Sequence, residues 1–300
     1  MQDAFAQRIL EAKGRQNLKP AKTPLAQGSL VHAVPREDTA SPDERFKYQS
    51  ITGSELYLMS QTRPDLAFTL SILSRFCHNP SQGNFLLCDH SLRYLSGTTT
   101  YGLVLGGANI CPEPEWDNDN FTIAGSASKS KHLPVNIWTD SDWKGDKVTG
   151  KSTHSYVVQL GHKNNIVSWR SKRTSRVMLS STEAEYYALG KGAQAALWFR
   201  GLLTELRIPA VFTLKGDNQG SIKLARNPEF HQRTGHIPLE EHFLRDEIEA
   251  GRIAVEWVPT EEQLADGLTK LLPPASHKEM VRRLGLVDIP AQGVRFHHPV

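Results

Sequence analysis

From residue 133 onward the apolar residues change period, and the order of the elements they imply restricts the fold more than any other feature of the sequence. Val135 to Asp140, His154 to Leu160 and Asn165 to Ser171 are short β-rich runs, separated by turn residues that include Gly150, Gly161 and Asn164-Asn165. Ser180 to Leu206 then holds a helical period over a long stretch. Val211 to Gly216 reads as a strand, Leu239 to Ala250 as a helix, Ile253 to Val258 as a last strand, and Gln263 to Lys270 as a helical segment. Three hairpin-connected strands followed by βαβ alternation fit one mixed sheet, because right-handed crossovers bring the later strands parallel to the first. The expected fold class is α/β, a five-stranded mixed sheet flanked by helices.

The preceding sequence reads as a separate, mainly helical unit. Pro20 to Glu44 is rich in Pro, Ser, Thr and charge without apolar periodicity, as a surface connection would be. Leu56, Leu58, Met59, Leu66, Ala67, Leu70, Leu73 and Phe76 recur at helical spacing, broken near Pro64 and stopped near Pro80, and Phe85 to Leu95 resumes the pattern. Two or three packed helices follow. Gly106 to Leu133, with Pro112, Pro114, an Asp/Asn cluster and a Ser/Gly/Lys run, has linker composition. The predicted boundaries are a helical unit over 1–105, a linker over 106–132, the α/β domain over 133–288 and a tail over 289–300.

A length of 300 residues suits two domains, each able to bury a core. With 39% hydrophobic and 22% charged residues, no stretch is apolar enough to cross a bilayer, so no membrane partner is expected. Met1 to Leu10 carries Asp3 and Arg8 where a secretory signal would need an unbroken apolar core. Cys77, Cys88 and Cys111 are odd in number and lack CxxC spacing, which reads as reduced thiols in an intracellular compartment, cytoplasmic or nuclear. A net charge of +3 permits a nucleic-acid partner without requiring one.

The carboxylates are more telling. The first strand of the sheet runs into Asp140, and the strand Val211 to Lys215 runs through Gly216 into Asp217. Functional residues of such sheets gather beyond the carboxyl ends of parallel strands, so these two acids are expected to be neighbours. Glu185 falls in the first turns of the long helix, beside Ala184 and Ala188, and Asp266 opens the segment after the last strand. Four carboxylates in close quarters stay ionised only beside a cation, and hard oxygen ligands select Mg²⁺ or Mn²⁺. Two such ions suit in-line displacement at phosphorus. Taken singly, Asp140 and Asp217 read equally well as turn formers, and Asp266 as a first-turn acid favoured by the helix dipole. Glu183 reads as the reciprocal partner of Ser180 in a capping box, Asp142 and Asp146 as solvated loop acids, and Trp143 and Trp169 as core aromatics. His242 reads as a packing or solvated residue.

Several stretches resemble, in order, the blocks of copia-type long-terminal-repeat retrotransposon polyproteins. They are Thr139-Asp-Ser-Asp-Trp143, Ser168-Trp-Arg-Ser-Lys172, Leu179-Ser-Ser-Thr-Glu-Ala-Glu-Tyr186, Asp217-Asn-Gln219 and Trp257 through Lys270. In the amino-terminal half, Thr23-Pro-Leu25, Tyr48 to Leu58, Thr62-Arg-Pro-Asp65, Leu73-Ser-Arg-Phe76 and Leu92 to Thr98 resemble the region after the polymerase palm. The resemblance implies a ribonuclease H-like domain preceded by a helical remnant of the reverse transcriptase thumb or connection. It implies metal-dependent cutting of the RNA strand of RNA/DNA hybrids, with Asp140, Glu185, Asp217 and Asp266 as catalytic metal ligands, and a place beside the rest of a polyprotein or particle. The paired-aspartate palm motif is not in this sequence, so no polymerase activity is expected of it. The chain departs from the family at Glu55, usually apolar there, and at Pro238, where an Asp is usual. It also lacks the histidine that many ribonucleases H carry after Trp257-Val-Pro259. A catalytically decayed copy that binds nucleic acid or only retains the fold is the alternative.

For the substrate, Arg170, Lys172, Arg173 and Arg176 bracket what reads as a strand-to-strand turn and would track phosphates without reading bases. The same charges would also serve as a solvated edge that deters strand pairing. His231, Arg233 and His236 form a second basic patch, and the resemblance implies that Arg233 and His236 approach the hybrid.

Overall fold

The computed structural model describes residues 2–15, 18–105, 132–161, 165–226 and 243–289, together with the backbone of 115–117 and 120–122. These divide into two compact units, residues 1–104 with 271 onward, and residues 105–270.

The second unit holds the sheet. Its strands are β1 (Leu133–Asp142), β2 (Thr153–Leu160), β3 (Ile166–Arg173), β4 (Ala210–Gly216) and β5 (Ala254–Trp257), and its helices α1 (Ser181–Glu205), α2 (Gln219–Arg226) and α3 (Phe243–Glu249). The spatial order is β3-β2-β1-β4-β5. The β1/β2 and β2/β3 pairs are antiparallel, while β1/β4 and β4/β5 are parallel. This order and these directions are those of the ribonuclease H-like fold. Period-2 burial along β1 points Val135 and Ile137 into a core shared with Tyr186, Leu189, Ala193 and Phe199 of α1 and with Phe212 and Leu214 of β4. In the expected linker, residues 115–117 and 120–122 form a short antiparallel pair.

The helix α1 lies unusually close to the sheet at Gly192. A Cβ built there would stand 2.4 Å from Thr139 Cγ2 and 3.3 Å from Ile137 Cγ2. Only a residue without a side chain lets the helix settle on β1 one residue before Asp140. On the sheet's edge of loops, Ser155 Oγ donates to Ala265 O (2.9 Å) and Gln263 Nε2 donates to Thr139 O (3.0 Å), which ties the segment after β5 to the middle strands.

Several local expectations are corrected. The segment Gln263 to Lys270 is not a helix; it contains only a 3-10 turn, Asp266–Leu268. The helix α2 was not anticipated from sequence. It is short, and its entry is set by Asn218 Oδ1 accepting from Ser221 N (2.9 Å), a local side-chain bond with no periodicity to announce it. Of the expected helix Leu239 to Ala250, the described part is Phe243–Glu249.

In the first unit, helices Asp3–Ala12, Pro42–Gln61, Ala67–Leu73 and Gln82–Ser96 surround one core. Two of them start at capping boxes, Ser41 with Glu44 and Ser81 with Asn84. The sequence pattern carries the α/β domain through residue 288. The structure instead gathers Leu271 to Asp288 with the first unit, where Leu286–Asp288 pairs antiparallel with Tyr101–Leu103. The Arg63-Pro-Asp65 sequence is a buried network here. Arg63 donates to both Asp65 oxygens and to Thr98 O (2.8 Å), Tyr94 OH donates to Asp65 Oδ2 (2.7 Å), and His277 Nε2 meets Tyr94 OH at 3.1 Å. Although burial works the other way, Arg63 holds the Asp65 carboxyl below its ordinary range. At Glu55, Ser91 Oγ donates to Oε1 (2.8 Å), Oε2 is buried without a partner among the described residues, and burial pushes the carboxyl up to about 7.

Two glycines of α1 should respond oppositely to alanine. Gly192→Ala forces a methyl against Thr139 and should cost on the order of 1 kcal/mol net, overpacking outweighing helix propensity. At Gly201 a methyl would meet nothing within 4 Å, so alanine there should add up to about 1 kcal/mol of stability. Urea denaturation of the two variants decides it: equal signs for both would contradict the close approach.

Candidate functional site

The site is built from three tips of the fold. β1 carries Asp140 near its end, and the parallel β4 ends at Gly216, one residue before Asp217. Because β1 and β4 run in register from Leu133↔Ala210 to Trp138↔Lys215, both acids emerge at the same edge of the sheet. Glu185 comes from the opening turns of α1, whose start is set by Ser180 Oγ accepting from Glu183 N (3.1 Å). Asp140, Glu185 and Asp217 each present a carboxylate oxygen, and these oxygens lie within 4.8 Å of one another.

Each of these side chains is held. Glu185 Oε1 accepts from the Ser141 backbone N–H (3.3 Å). Thr269 donates its hydroxyl to Asp140 Oδ2, and the Asp266 carbonyl accepts from the same hydroxyl (2.9 Å). Thr260 Oγ1 donates to Asp217 Oδ2 (2.8 Å), and the Trp257 indole N–H donates to Asp217 O (2.8 Å). Asp140 and Glu185 are only 5% and 8% exposed, so their charges are poorly hydrated. Burial, then the charges of Asp266 and Asp217, push the Asp140 carboxyl up to about 7 against the Thr269 hydrogen bond. Burial, then Asp140 and Asp217, raise Glu185 well above the ordinary carboxylate range.

Asp266 stands apart from the close trio. It is ion-paired with Lys270 one turn along, and against the effect of burial this contact holds the Lys270 ammonium above its ordinary value. Asp266 is still near enough for its charge to act on Asp140. Thr260, Thr269 and Lys270 are neighbours that sequence reasoning passed over. They lie in the stretch Trp257 to Lys270 that carried the resemblance, and their three- and four-residue spacing from Asp266 was the available signal for the last two.

The trio fits a divalent cation. Its donor set is all carboxylate oxygen, and two of the three groups are buried beside like charge, where both ionise only if a cation joins them. Lys270 supplies only part of that charge: its ammonium is ion-paired with Asp266, and it also acts on Asp140 and Asp217.

The basic residues divide. Arg170 and Lys172 lie on β3 and form no ion pair among the described residues. Arg173 NH1 is paired with Asp146 Oδ2 at 2.7 Å, and Arg176 with Glu183, so these two are committed within the protein. Asp146 is therefore not a freely solvated acid. The four cations lie on β3 and on its connection to α1, not around a turn between strands. Glu183 does not close the expected capping box: its Oε2 accepts from Leu179 N (2.7 Å) while Arg176 takes the other oxygen. Trp143 is not a core residue. It is 41% exposed, and its indole N–H donates to Met178 O (3.1 Å). Arg233, His236 and His242 lie outside the described residues.

No family model matches the chain. It is 33% identical over 290 residues to the retrovirus-related Pol polyprotein from transposon RE1 of Arabidopsis thaliana, a match that covers 94% of this chain and 18% of that protein. The corresponding polyprotein from transposon RE2 of the same plant is 34% identical over 289 residues, with the same coverage of 94% and 18%. The chain thus spans about a fifth of the length of the curated relatives it matches. Among solved structures, the amino-terminal RNase H domain of Rv2228c from Mycobacterium tuberculosis is 16% identical and covers 50% of this chain and 97% of that one, at a TM-score of 0.33. The fold rests on the strand order rather than on a likeness of that size.

The electrostatics of the site set a pH dependence. A carboxyl raised on folding contributes stability at low pH that is lost as pH rises from its unfolded value, near 4, through its folded value, about 7 for Asp140. Metal-free protein should therefore melt several degrees lower at pH 8 than at pH 5.5, Mg²⁺ should restore most of that loss, and Asp140→Asn should flatten the profile. Scanning calorimetry in EDTA checks this; a profile unchanged by Asp140→Asn would show that the acids do not repel as described.

Proposed function

Because the chain belongs to the family of retrovirus-related Pol polyproteins from transposons, in the copia-type form, we propose that its α/β domain hydrolyses the RNA strand of RNA/DNA hybrids with Mg²⁺ or Mn²⁺. The observation that carries this reading is the meeting of Asp140, Glu185 and Asp217 at one sheet edge, two of them buried. In this reading Asp140, Glu185 and Asp217 hold the metal pair, with Asp266 joining from the loop. Bound there, the two cations would activate a water for in-line attack and stabilise the leaving oxygen, giving a 5′-phosphate and a 3′-hydroxyl.

The chain's own groups would do the positioning. The Ser141 N–H and the Thr269 hydroxyl fix the rotamers of Glu185 and Asp140, so the acids are preorganised to receive charge. Thr260 does the same for Asp217. Arg170 and Lys172, without an ion partner among the described residues, are the proposed phosphate contacts on β3. Arg173 and Arg176 would contribute only by leaving Asp146 and Glu183, and Arg233 and His236 stand as proposed contacts from sequence alone. The rest of a polyprotein or particle is the proposed larger setting.

A second reading, binding of nucleic acid without cutting, has one observation in its favour: Asp266 is engaged by Lys270 and stands outside the close trio. Cleavage of an end-labelled hybrid separates the two. Wild type should cut in Mg²⁺ and not in EDTA, while Asp140→Asn and Glu185→Gln should fall to background yet still bind the hybrid. Equal binding and no cutting by all three, in Mg²⁺ and in Mn²⁺, would establish the second reading instead.

A further inference from the structure

Across the sheet from the acids, between β3 and α1, lies a cavity of about 420 Å³ whose lining differs in chemistry from the acid site. Arg170 and Lys172 reach it from β3 and Lys191 from α1, and no carboxylate of the described residues lines it. Arg173 also lines it, with its guanidinium held by Asp146. Three cations without an acid among the described lining residues make the cavity attractive to an anion.

The walls are aromatic. Tyr187, Lys191, Ala195 and Trp198 follow at helical spacing on one stripe of α1, with Tyr156 facing them from β2. The Lys191 ammonium sits 5.1 Å from the Tyr187 ring centroid, and Tyr187 meets the His154 ring edge-to-face at 5.1 Å. Trp198 is 63% exposed, a large ring that the fold does not cover. At the base, His154 is only 2% exposed, and its Nδ1 has no hydrogen-bond partner among the described residues. Burial, helped by Arg170, Lys191 and Lys172, holds this imidazole down at about 3, so it is neutral at ordinary pH. A neutral, buried ring nitrogen without a partner among the described residues, beside cations and the exposed Trp198 ring, suits a ligand with both an anionic and a flat polar part.

We propose that this cavity holds one unpaired nucleotide of a nucleic-acid strand, its phosphate among Arg170, Lys172 and Lys191 and its base against Tyr187 and Trp198. The volume lies in the range of small-ligand sites. The register ties it to the acids: Lys172 pairs with His154, and His154 with Ser141, the residue after Asp140. Two strand spacings put this row roughly 10 Å from β1, a distance that a single strand covers within a few nucleotides. A strand engaged at the acids can therefore leave an unpaired nucleotide in the cavity. The site goes beyond the cutting reading and does not depend on it, since binding is measurable where no cutting occurs.

The test uses the full chain in EDTA, titrated into a fluorescently labelled oligothymidylate, with tryptophan emission recorded in parallel. Wild type should bind with quenching. Lys191→Glu and Trp198→Leu, both at positions outside the core, should each bind at least about fivefold more weakly with unchanged melting temperatures, and Trp198→Leu should lose most of the quenching. Gly201→Ala, on the same helix but outside the cavity lining, should bind like wild type. In competition with wild type, adenosine 5′-monophosphate should displace the oligonucleotide at lower concentration than inorganic phosphate. Wild-type affinity in both cavity variants, equal loss of binding in Gly201→Ala, or equal competition by phosphate and the nucleotide would each overturn the proposal.

Discussion

Mutual repulsion among buried carboxylates is the constraint around which the second unit is organised. Asp140, Glu185 and Asp217 bring oxygens within 4.8 Å of one another, and two of the three groups have little contact with water. No chain gains stability from such an arrangement by itself, because desolvation and like charge both oppose ionisation. The arrangement holds because stronger features fix its three supports. The parallel β1/β4 ladder sets the two aspartates side by side, the close seat of α1 at Gly192 brings Glu185 over them, and the loop after β5 is tied down by Gln263 and Ser155. Backbone and hydroxyl donors then aim the side chains. The fold spends its packing energy on holding together acids whose repulsion is relieved by protonation or by a cation.

How much of this the sequence disclosed depended on the range of the interaction involved. The strands and the long helix were legible because period-2 and helical burial repeat over many residues, and the mixed character of the sheet followed from connectivity and handedness. That Asp140 and Asp217 would be neighbours followed from the same rules. Most of the side-chain engagements were not legible. The four-residue spacing of Asp266 and Lys270 was a local signal that went unread, but nothing local says that Glu183 turns to Arg176 and Leu179 N, or that Arg173 on β3 is held by Asp146. The short helix α2 and the 3-10 turn at Asp266–Leu268 escaped for a related reason: elements shorter than two or three turns are fixed by one or two hydrogen bonds and carry no period. Trp143 was misplaced because large aromatics are ordinarily buried, whereas this one anchors by its indole N–H to Met178 O and leaves its ring partly in solvent.

The first unit illustrates how a motif-like sequence can be architectural. Arg63-Pro-Asp65 is part of one of the stretches that carry the family resemblance, and the guanidinium, the carboxylate, Tyr94 and Thr98 satisfy one another in the interior. Glu55 is the contrasting case. Its second oxygen is buried without a partner among the described residues, and its carboxyl accordingly favours the protonated form to about pH 7. An apolar residue would fill the same place without that cost, which is the pattern the family resemblance implies there.

The central claim is that the trio of acids is a divalent-cation site, and Mn²⁺ titration followed by electron paramagnetic resonance tests it without requiring catalysis. At pH 8, metal-free protein is predicted to take up the cation saturably, with the signal of the bound ion lost in both Asp140→Asn and Glu185→Gln and retained in Asp146→Asn. Uptake that survives both of the first two substitutions, or no uptake by the wild-type chain at all, would contradict the account.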